Sequence, residues 1–547
     1  LLILSSMQNM LAAGSIWPQP LAPLHSVVLS AAVAAIPLIV VLVLMGGLRK
    51  SGLFASACGL ATAAMLAVAV WQMPVLLAGW SIIFGFAYAS WSILWLVFCG
   101  LWLYHLAEAT GSFDLLRKWV EQSAPGDACV QAMLVAFCFG ALLEGTAGFG
   151  TPVAVTALLL VKLGFEARKA VMVALLANTA PVAFGAVGVP IVALAGVTGI
   201  DIQRLSAMIG RQLPFVSFIL PAYLALMVAG TKGLRRSWQP ALVAGGSFAL
   251  VQFLVSNLWG PYATDLLSAL ASIIALVSYL RITAKSRKDE RPAAHAEPTG
   301  SGKLSAPHVL SACLPWALLS LVIVLWSYFK LFQKGQISIP IPQLHNGVFI
   351  TLYQKPYAAI YNFQPLAAGT GLLVAIFLTA LCFRVRPKVF LESGTKTLRQ
   401  LRLPGLTVLF IVALAYLYNY SGMAYTLGAT VARAGAVFPL LSSFLGWVAC
   451  FLSGSDTASN LLFGNLQVAA AHQLHLNPVL LAATNSSGAV AGKMISPQNI
   501  AIGVTTVGLI GQEGKVLHST FWHSVLLATL IGLIACIQAY VVPGMVP

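Results

Sequence analysis

Charged side chains are scarce in this sequence: 8% of its 547 residues are Asp, Glu, Lys or Arg, against about 25% in a soluble domain. So little charge cannot keep a globular surface of this size in water. A soluble enzyme, a nucleic-acid binder and a secreted disulfide scaffold are excluded at the outset. Acidic residues are the rarer of the two signs, 14 against 30 basic ones. Cysteine is thinly spread as well. The eight (58, 99, 129, 138, 313, 382, 450 and 536) lie mostly in apolar stretches and form no Cys-x-x-Cys pair, so they read as small membrane-core residues. There is no phosphate-binding P-loop and no metal-ligand spacing, and the Gly-rich runs follow no strand. ATP drive, nucleotide binding and a bound cofactor therefore have no support.

What the sequence has instead is apolar length. The apolar set makes up 59% of residues and the mean hydropathy is +0.91. Runs of about 18 residues or more recur from end to end, each able to cross roughly 30 Å of hydrocarbon as a helix. The expected fold is an all-α polytopic membrane protein. About twelve spans are expected, near residues 27–48, 52–70, 84–106, 170–198, 212–230, 239–257, 263–280, 309–329, 365–383, 404–420, 478–510 and 522–542. The first has no Lys or Arg before it and Arg49-Lys50 after it. That is the reverse of a cleaved signal peptide, so it reads as a retained span.

Two further apolar stretches, 128–164 and 437–473, do not fit as spans. Each is interrupted midway, at Gly145-Thr146-Ala147-Gly148-Phe149-Gly150-Thr151-Pro152 and at Ser453-Gly454-Ser455-Asp456-Thr457-Ala458-Ser459-Asn460. Their halves are too short to cross alone, and lipid cannot satisfy a broken backbone. Both are expected to be re-entrant hairpins buried in protein. The basic residues agree. With both termini outside and each hairpin returning to its own side, 23 of the 30 Lys and Arg fall in inner loops, six fall outside, and Lys493 lies within the membrane. This is the distribution of the positive-inside rule.

Residues 284–308 read as a polar cytoplasmic linker. It divides the chain into a first half, 1–283, with hairpin 128–164 and broken helix 170–198, and a second half, 309–547, with hairpin 437–473 and broken helix 478–510. Residues 330–364 form the longest outer loop. The halves share a pattern: Asn178-Thr179, Gly185 and Pro190 match Asn485-Ser486, Gly492 and Pro497 at offsets of 1, 7 and 12. Each copy follows its hairpin tip by a similar distance, 33 and 31 residues. The loop count sends the two hairpins in from opposite faces, which is an inverted repeat of the kind found in secondary transporters.

Three ionisable residues fall at membrane depth beside broken helix: Glu144, Asp456 and Lys493. A charge facing lipid costs at least about 2.5–3.5 kcal/mol, so these three are expected to face one another, a substrate or water. One reading is an ion pair that locks the hairpins. The other is a site in which Lys493 attracts an anion and a carboxylate, Asp456 or Glu144, carries a proton. Free N–H groups at the inner helix N-termini favour a carboxylate. Around them Thr146, Asn178, Thr179, Ser455, Thr457, Asn460, Asn485, Ser486, Gln498 and Asn499 offer hydrogen bonds to a small hydroxyl-bearing substrate. One cation suits a monoanion better than a dianion. Ser-, Thr- and Asn-rich tips also suit sodium, so a sodium-coupled carboxylate carrier is the alternative.

Several motifs in this order resemble the bacterial L-lactate permease family, which includes lactate and glycolate permeases. They are Phe139-Gly-Ala-Leu-Leu-Glu-Gly-Thr-Ala-Gly-Phe-Gly-Thr-Pro152, Asn178-Thr-Ala-Pro-Val-Ala-Phe-Gly-Ala-Val-Gly-Val-Pro190, Val197-Thr-Gly-Ile-Asp201, Gly210-Arg-Gln-Leu-Pro214, Leu452-Ser-Gly-Ser-Asp-Thr457 and Gly492-Lys-Met-Ile-Ser-Pro-Gln498. The resemblance runs from Trp17 to the carboxyl end. It implies proton-coupled uptake of L-lactate, with D-lactate and glycolate as co-substrates, across a bacterial cytoplasmic membrane, driven by the proton gradient. The roles given above to Glu144, Asp456 and Lys493 come from their charge and position, not from the resemblance.

Overall fold

The computed structural model describes residues 16–48, 50–123, 127–148, 150–287 and 306–547. Most of the expected 284–308 linker, and Phe149 in the first hairpin tip, lie outside these. The described chain is a helical membrane protein. Ten helical stretches are long and apolar enough to cross a membrane, or eleven if the bent pair Ala167–Ala177 and Val182–Thr198, meeting at 64°, counts as one.

The difference from twelve has local causes. The expected spans at 212–230 and 239–257 lie in one continuous stretch, Ile202–Leu258. It is not one straight rod, because Gly230 at φ 63° breaks the helix. The Ser217 hydroxyl reaches Gln252 Oε1 at 2.7 Å, whereas a straight helix would hold residues that far apart by about 50 Å. The two arms therefore fold back on each other. The span expected at 365–383 is the shorter apolar helix Ala368–Cys382, and that expected at 478–510 is two helices, Pro478–Lys493 and Pro497–Thr506. The ten include Ala128–Thr146 and Met423–Ser453, which are long enough to cross although they fall in stretches expected as hairpins.

The first interrupted stretch runs as helix from Ala128 to Thr146 with a π-helical section at Ala132–Phe139. Its last part is α1 (Gly140–Thr146), and α2 (Thr151–Lys162) follows the break. The apolar window of Ala128–Thr146 is 94% buried, against 33–39% for most of the spans. Other helices, not lipid, surround it. Then come α3 (Ala167–Ala177) and α4 (Gly185–Thr198). The turn entering α4 is left-handed at three consecutive residues, Ala186, Val187 and Gly188, with φ of 44°, 58° and 79°. For a β-branched residue such as Val187 this conformation is a genuine outlier, and such strain concentrates at functional sites. Helix α5 (Thr264–Arg287) packs against α1.

The second interrupted stretch is α6 (Phe438–Ser453) and α7 (Asp456–Gln473). Gly454 at φ 71° ends α6, and the Ser455 hydroxyl accepts from Ala458 N–H to cap α7. Helix α8 (Pro478–Lys493) stops one turn before α9 (Pro497–Thr506). α6 and α8 meet through glycine. A Cβ on Gly446 would sit 1.9 Å from the Asn485 carbonyl oxygen, and one on Gly488 2.2 Å from that of Ser443.

The long loop 330–364 has structure of its own. Strand β1 (Trp17–Pro18) pairs in parallel with β3 (Val348–Ile350), which pairs with β4 (Lys355–Pro356), while β2 (Ile337–Pro340) pairs with β5 (Ile360–Phe363). Gln19 extends this clasp by donating to the carbonyls of Asn419 and Tyr420, each at 2.8 Å. All eight cysteines are free.

Candidate functional site

The two helix breaks converge on α9. A Cβ at Gly150 would lie 2.4 Å from Ile502 Cδ1, and one at Gly454 1.7 Å from Gln498 Oε1. Asn499 is common to both. Its Oδ1 is 3.6 Å from the Gly150 Cβ position, and its amide donates to the Gly454 carbonyl at 3.2 Å and the Lys493 carbonyl at 3.3 Å. A third bond, to Ser496 Oγ at 2.7 Å, holds the rotamer.

Lys493 ends α8 and reaches Glu144 in α1, with Nζ 2.6 Å from Oε1. Both side chains are buried, 10% and 4% exposed. A pair out of contact with water is held only if the geometry is good, and removing one partner strands the other. Glu144 uses only one oxygen: Oε2 has no hydrogen-bond partner among the described residues. The space for Glu144 is made by Gly185, where a Cβ would come within 2.7 Å of Oε1.

Beside the pair runs a cleft lined by Asn178, Thr179, Lys493 and Asn499, with Val153, Leu175, Val182, Val490 and Met494 as its apolar walls. Its walls nowhere part widely enough for a water molecule. Asn178 Oδ1 and Thr179 Oγ1 are buried without partners among the described residues. The cleft therefore offers a cation, unpaired polar atoms and an apolar wall in one small volume.

Four of the expected site residues form a different cluster. Ser486 Oγ donates to Asp456 Oδ2 at 2.9 Å. Asn460 donates to Ser486 Oγ at 3.0 Å and to the Pro190 carbonyl of α4 at 3.1 Å. Asn485 donates to Asn460 Oδ1 at 3.0 Å. These amides are largely occupied by one another, and they tie α7 and α8 to α4. Asp456 Oδ1 alone has no partner among the described residues. Thr146 donates to the carbonyls of Leu142 and Leu143 at 3.1 Å, so its hydroxyl is engaged by its own helix. Ser455 serves as the α7 cap, Thr457 is half-buried beside it, and Gln498 packs on the second tip.

One charged residue near the pair was not among the expected ones. Asp265 in α5 is 1% exposed and packs against Gly145, the residue after Glu144. In the sequence it stands at the start of an apolar run, the usual place for a boundary residue, and only its contact with the first break distinguishes it.

The L-lactate permease family model matches residues 30–542. The chain belongs to this family. Similar curated proteins are the glycolate permease GlcA of Escherichia coli, 41% identical over 97% of this chain and 99% of that one, and the L-lactate permease of Escherichia coli, 38% identical over 97% of this chain and all of that one. The L-lactate permease of Bacillus subtilis is 39% identical with the same coverage. Among solved structures, the YdaH transporter of Alcanivorax borkumensis covers 84% of this chain at 16% identity and a TM-score of 0.45. As a member of the L-lactate permease family, the chain is a multi-pass membrane permease.

Proposed function

We propose that the protein carries lactate or glycolate into a bacterial cell across the cytoplasmic membrane, together with a proton, and that Lys493 is the group that receives the substrate carboxylate. L-lactate, D-lactate and glycolate are the substrates of this reading. The observation that carries it is the buried Lys493–Glu144 pair at 2.6 Å, set beside the unpaired Asn178 Oδ1 and Thr179 Oγ1.

The pair makes coupling a matter of charge balance. A substrate carboxylate that binds Lys493 displaces Glu144. An unpaired carboxylate in so dry a site is expensive, so Glu144 takes up a proton as its partner is lost. Ammonium and carboxylate are balanced before binding, and ammonium, substrate anion and neutral Glu144 are balanced after it. One proton accompanies one monoanion. Asp456, buried with Oδ1 unpaired and within electrostatic range of Lys493 and Glu144, is the second proton-bearing candidate. The substrate hydroxyl pairs with Asn178 and Thr179, and its carbon end rests on Val153, Val182 and Val490. Lactate and glycolate differ by one methyl group, worth only about 1–3 kcal/mol in such a pocket, so both are accepted.

The closed cleft fits transport by alternating access, in which the halves 1–283 and 309–547 work as inverted repeats around the two re-entrant hairpins, with both termini outside. The test is uptake by the full chain in proteoliposomes under imposed pH and sodium gradients. L-lactate and glycolate should accumulate with an inward proton gradient whether or not sodium is present. Accumulation that follows sodium and ignores pH would overturn the proposal.

A further inference from the structure

Asp265 is buried, and neither of its carboxyl oxygens has a hydrogen-bond partner among the described residues. Its surroundings are built for close approach. A Cβ on Gly145 would lie 2.9 Å from Asp265 Cβ and 3.3 Å from Leu266 N. The turn that leads into α5 is pressed against the strained entry to α4, where a Cβ on Gly188 would lie 2.9 Å from Pro261 Cβ. Asp265 is therefore packed against the backbone of the residue that follows Glu144, in a helix that is buried throughout.

The charged groups acting on it are Glu144 from α1 and Lys493 from α8. Farther along α5 the facing titratable side chain is Cys138, whose Sγ lies 3.2 Å from Ser272 Oγ. Lys493 is already bound to Glu144, so Asp265 has no counter-charge of its own. The α5 N-terminus favours negative charge there by about 0.3–1 kcal/mol, up to about 2 in buried settings. Burying an unpaired carboxylate costs several kcal/mol. Burial wins, and a proton is the simplest way for this group to exist where it is.

We infer that Asp265 holds the transported proton while Glu144 is paired with Lys493, and passes it to Glu144 Oε2 when the substrate displaces that residue. This rests on the proton-coupled reading above. The proton leaves Asp265 and bonds to Glu144, whose negative charge is cancelled. Asp265 becomes a carboxylate and is reprotonated by water from the side on which substrate entered. One proton and one monoanion are then in the site, with no net charge added.

The experiment compares the full chain and its Asp265→Asn variant in proteoliposomes, by proton-gradient-driven uptake and by exchange of labelled for unlabelled lactate at equal pH. The unaltered chain must first concentrate lactate with the proton gradient; if it does not, the functional reading fails whatever Asp265 does. Given that result, Asp265→Asn should still exchange lactate, because exchange leaves Glu144 protonated throughout, but its net proton-driven uptake should be slowed about a hundredfold or more. Retained exchange separates this from a structural role. Net proton-driven uptake by the variant at the rate of the unaltered chain would overturn the inference. If Asp265→Asn does not fold, Asp265→Glu is read instead. It should concentrate lactate with a displaced pH profile, and an unchanged profile would overturn the inference equally.

Discussion

Lys493 Nζ and Glu144 Oε1 lie 2.6 Å apart although 349 positions separate them in the chain. One belongs to the last turn of α8 and the other to α1 just ahead of the first helix break. The contact therefore ties the end of α1, beside the first helix break, to the end of α8.

Replacing Lys493 by Ala strands a buried carboxylate, which costs about 3–5 kcal/mol, and removes the attraction for the substrate. Thermal unfolding in detergent should show a clear loss of stability. Calorimetric titration should show lactate affinity lowered about thirtyfold to several thousandfold, by the roughly 2–5 kcal/mol of a lost buried charge partner. The double variant Lys493→Ala, Glu144→Gln should recover much of the stability and none of the binding.

Glu144→Gln mimics the proton-bearing side chain and ends its competition for Lys493. Lactate should bind more tightly than to the unaltered protein. In the latter, binding takes up a proton, so affinity should fall as pH rises, by at most about tenfold per pH unit. The Gln variant should lose this dependence and the ability to concentrate substrate. Binding isotherms at several pH values check both. An unaltered pH dependence in Glu144→Gln would assign the proton to another carboxyl, Asp456 first.

Ser486→Ala removes the one hydrogen bond given to Asp456 Oδ2 and frees an Asn460 amide. An orphaned buried polar group costs about 1–3 kcal/mol, so the melting temperature should fall. Asp456→Asn separates the two carboxyls: with Glu144 as the carrier, proton-driven accumulation should persist while the protein remains folded, and its loss would assign the proton to Asp456.

Gly446→Ala and Gly488→Ala place a methyl group within 1.9 and 2.2 Å of backbone carbonyl oxygens. No side-chain rotation relieves a clash with backbone, and overpacking costs about 1–3 kcal/mol or more. Size-exclusion profiles of fluorescently tagged variants should show loss of the monodisperse peak. Gly79→Ala, where nothing lies within 4 Å of the added group, should behave like the unaltered chain.

The helical membrane fold and the two interrupted stretches were legible because length, hydropathy and clusters of small polar residues are local properties. The meeting of Glu144 with Lys493 was legible only as a requirement that buried charges find partners. The repeated Asn motif was half informative. Its first copy breaks the helix at Asn178 while the second, at Asn485, runs on to Lys493. Three residues on, the first copy has Pro181, which lacks the N–H a helix needs, and the second has Gly488, which a helix tolerates. The expected polar ring also divided in two, because Asn460, Asn485 and Ser486 satisfy one another and tie to α4. Asp265 was not legible, since its significance lies in the packing of its turn against Gly145 and Gly188, which no spacing along the chain reveals. The fold-back at Gly230 was legible, since Lys232, Arg235 and Arg236 interrupt the apolar run between the spans expected at 212–230 and 239–257.

The glycine contacts between α6 and α8 bear on how the molecule moves. At Gly446, Gly488 and Gly492 the two helices touch backbone to backbone, the last with a Cβ position 2.2 Å from the Trp447 carbonyl oxygen. Helices interlocked at three successive turns cannot shear past each other. In the proposed transport cycle the ammonium group would travel with α6 and α8 as one block, and the slip plane would fall on the side-chain face turned toward Glu144.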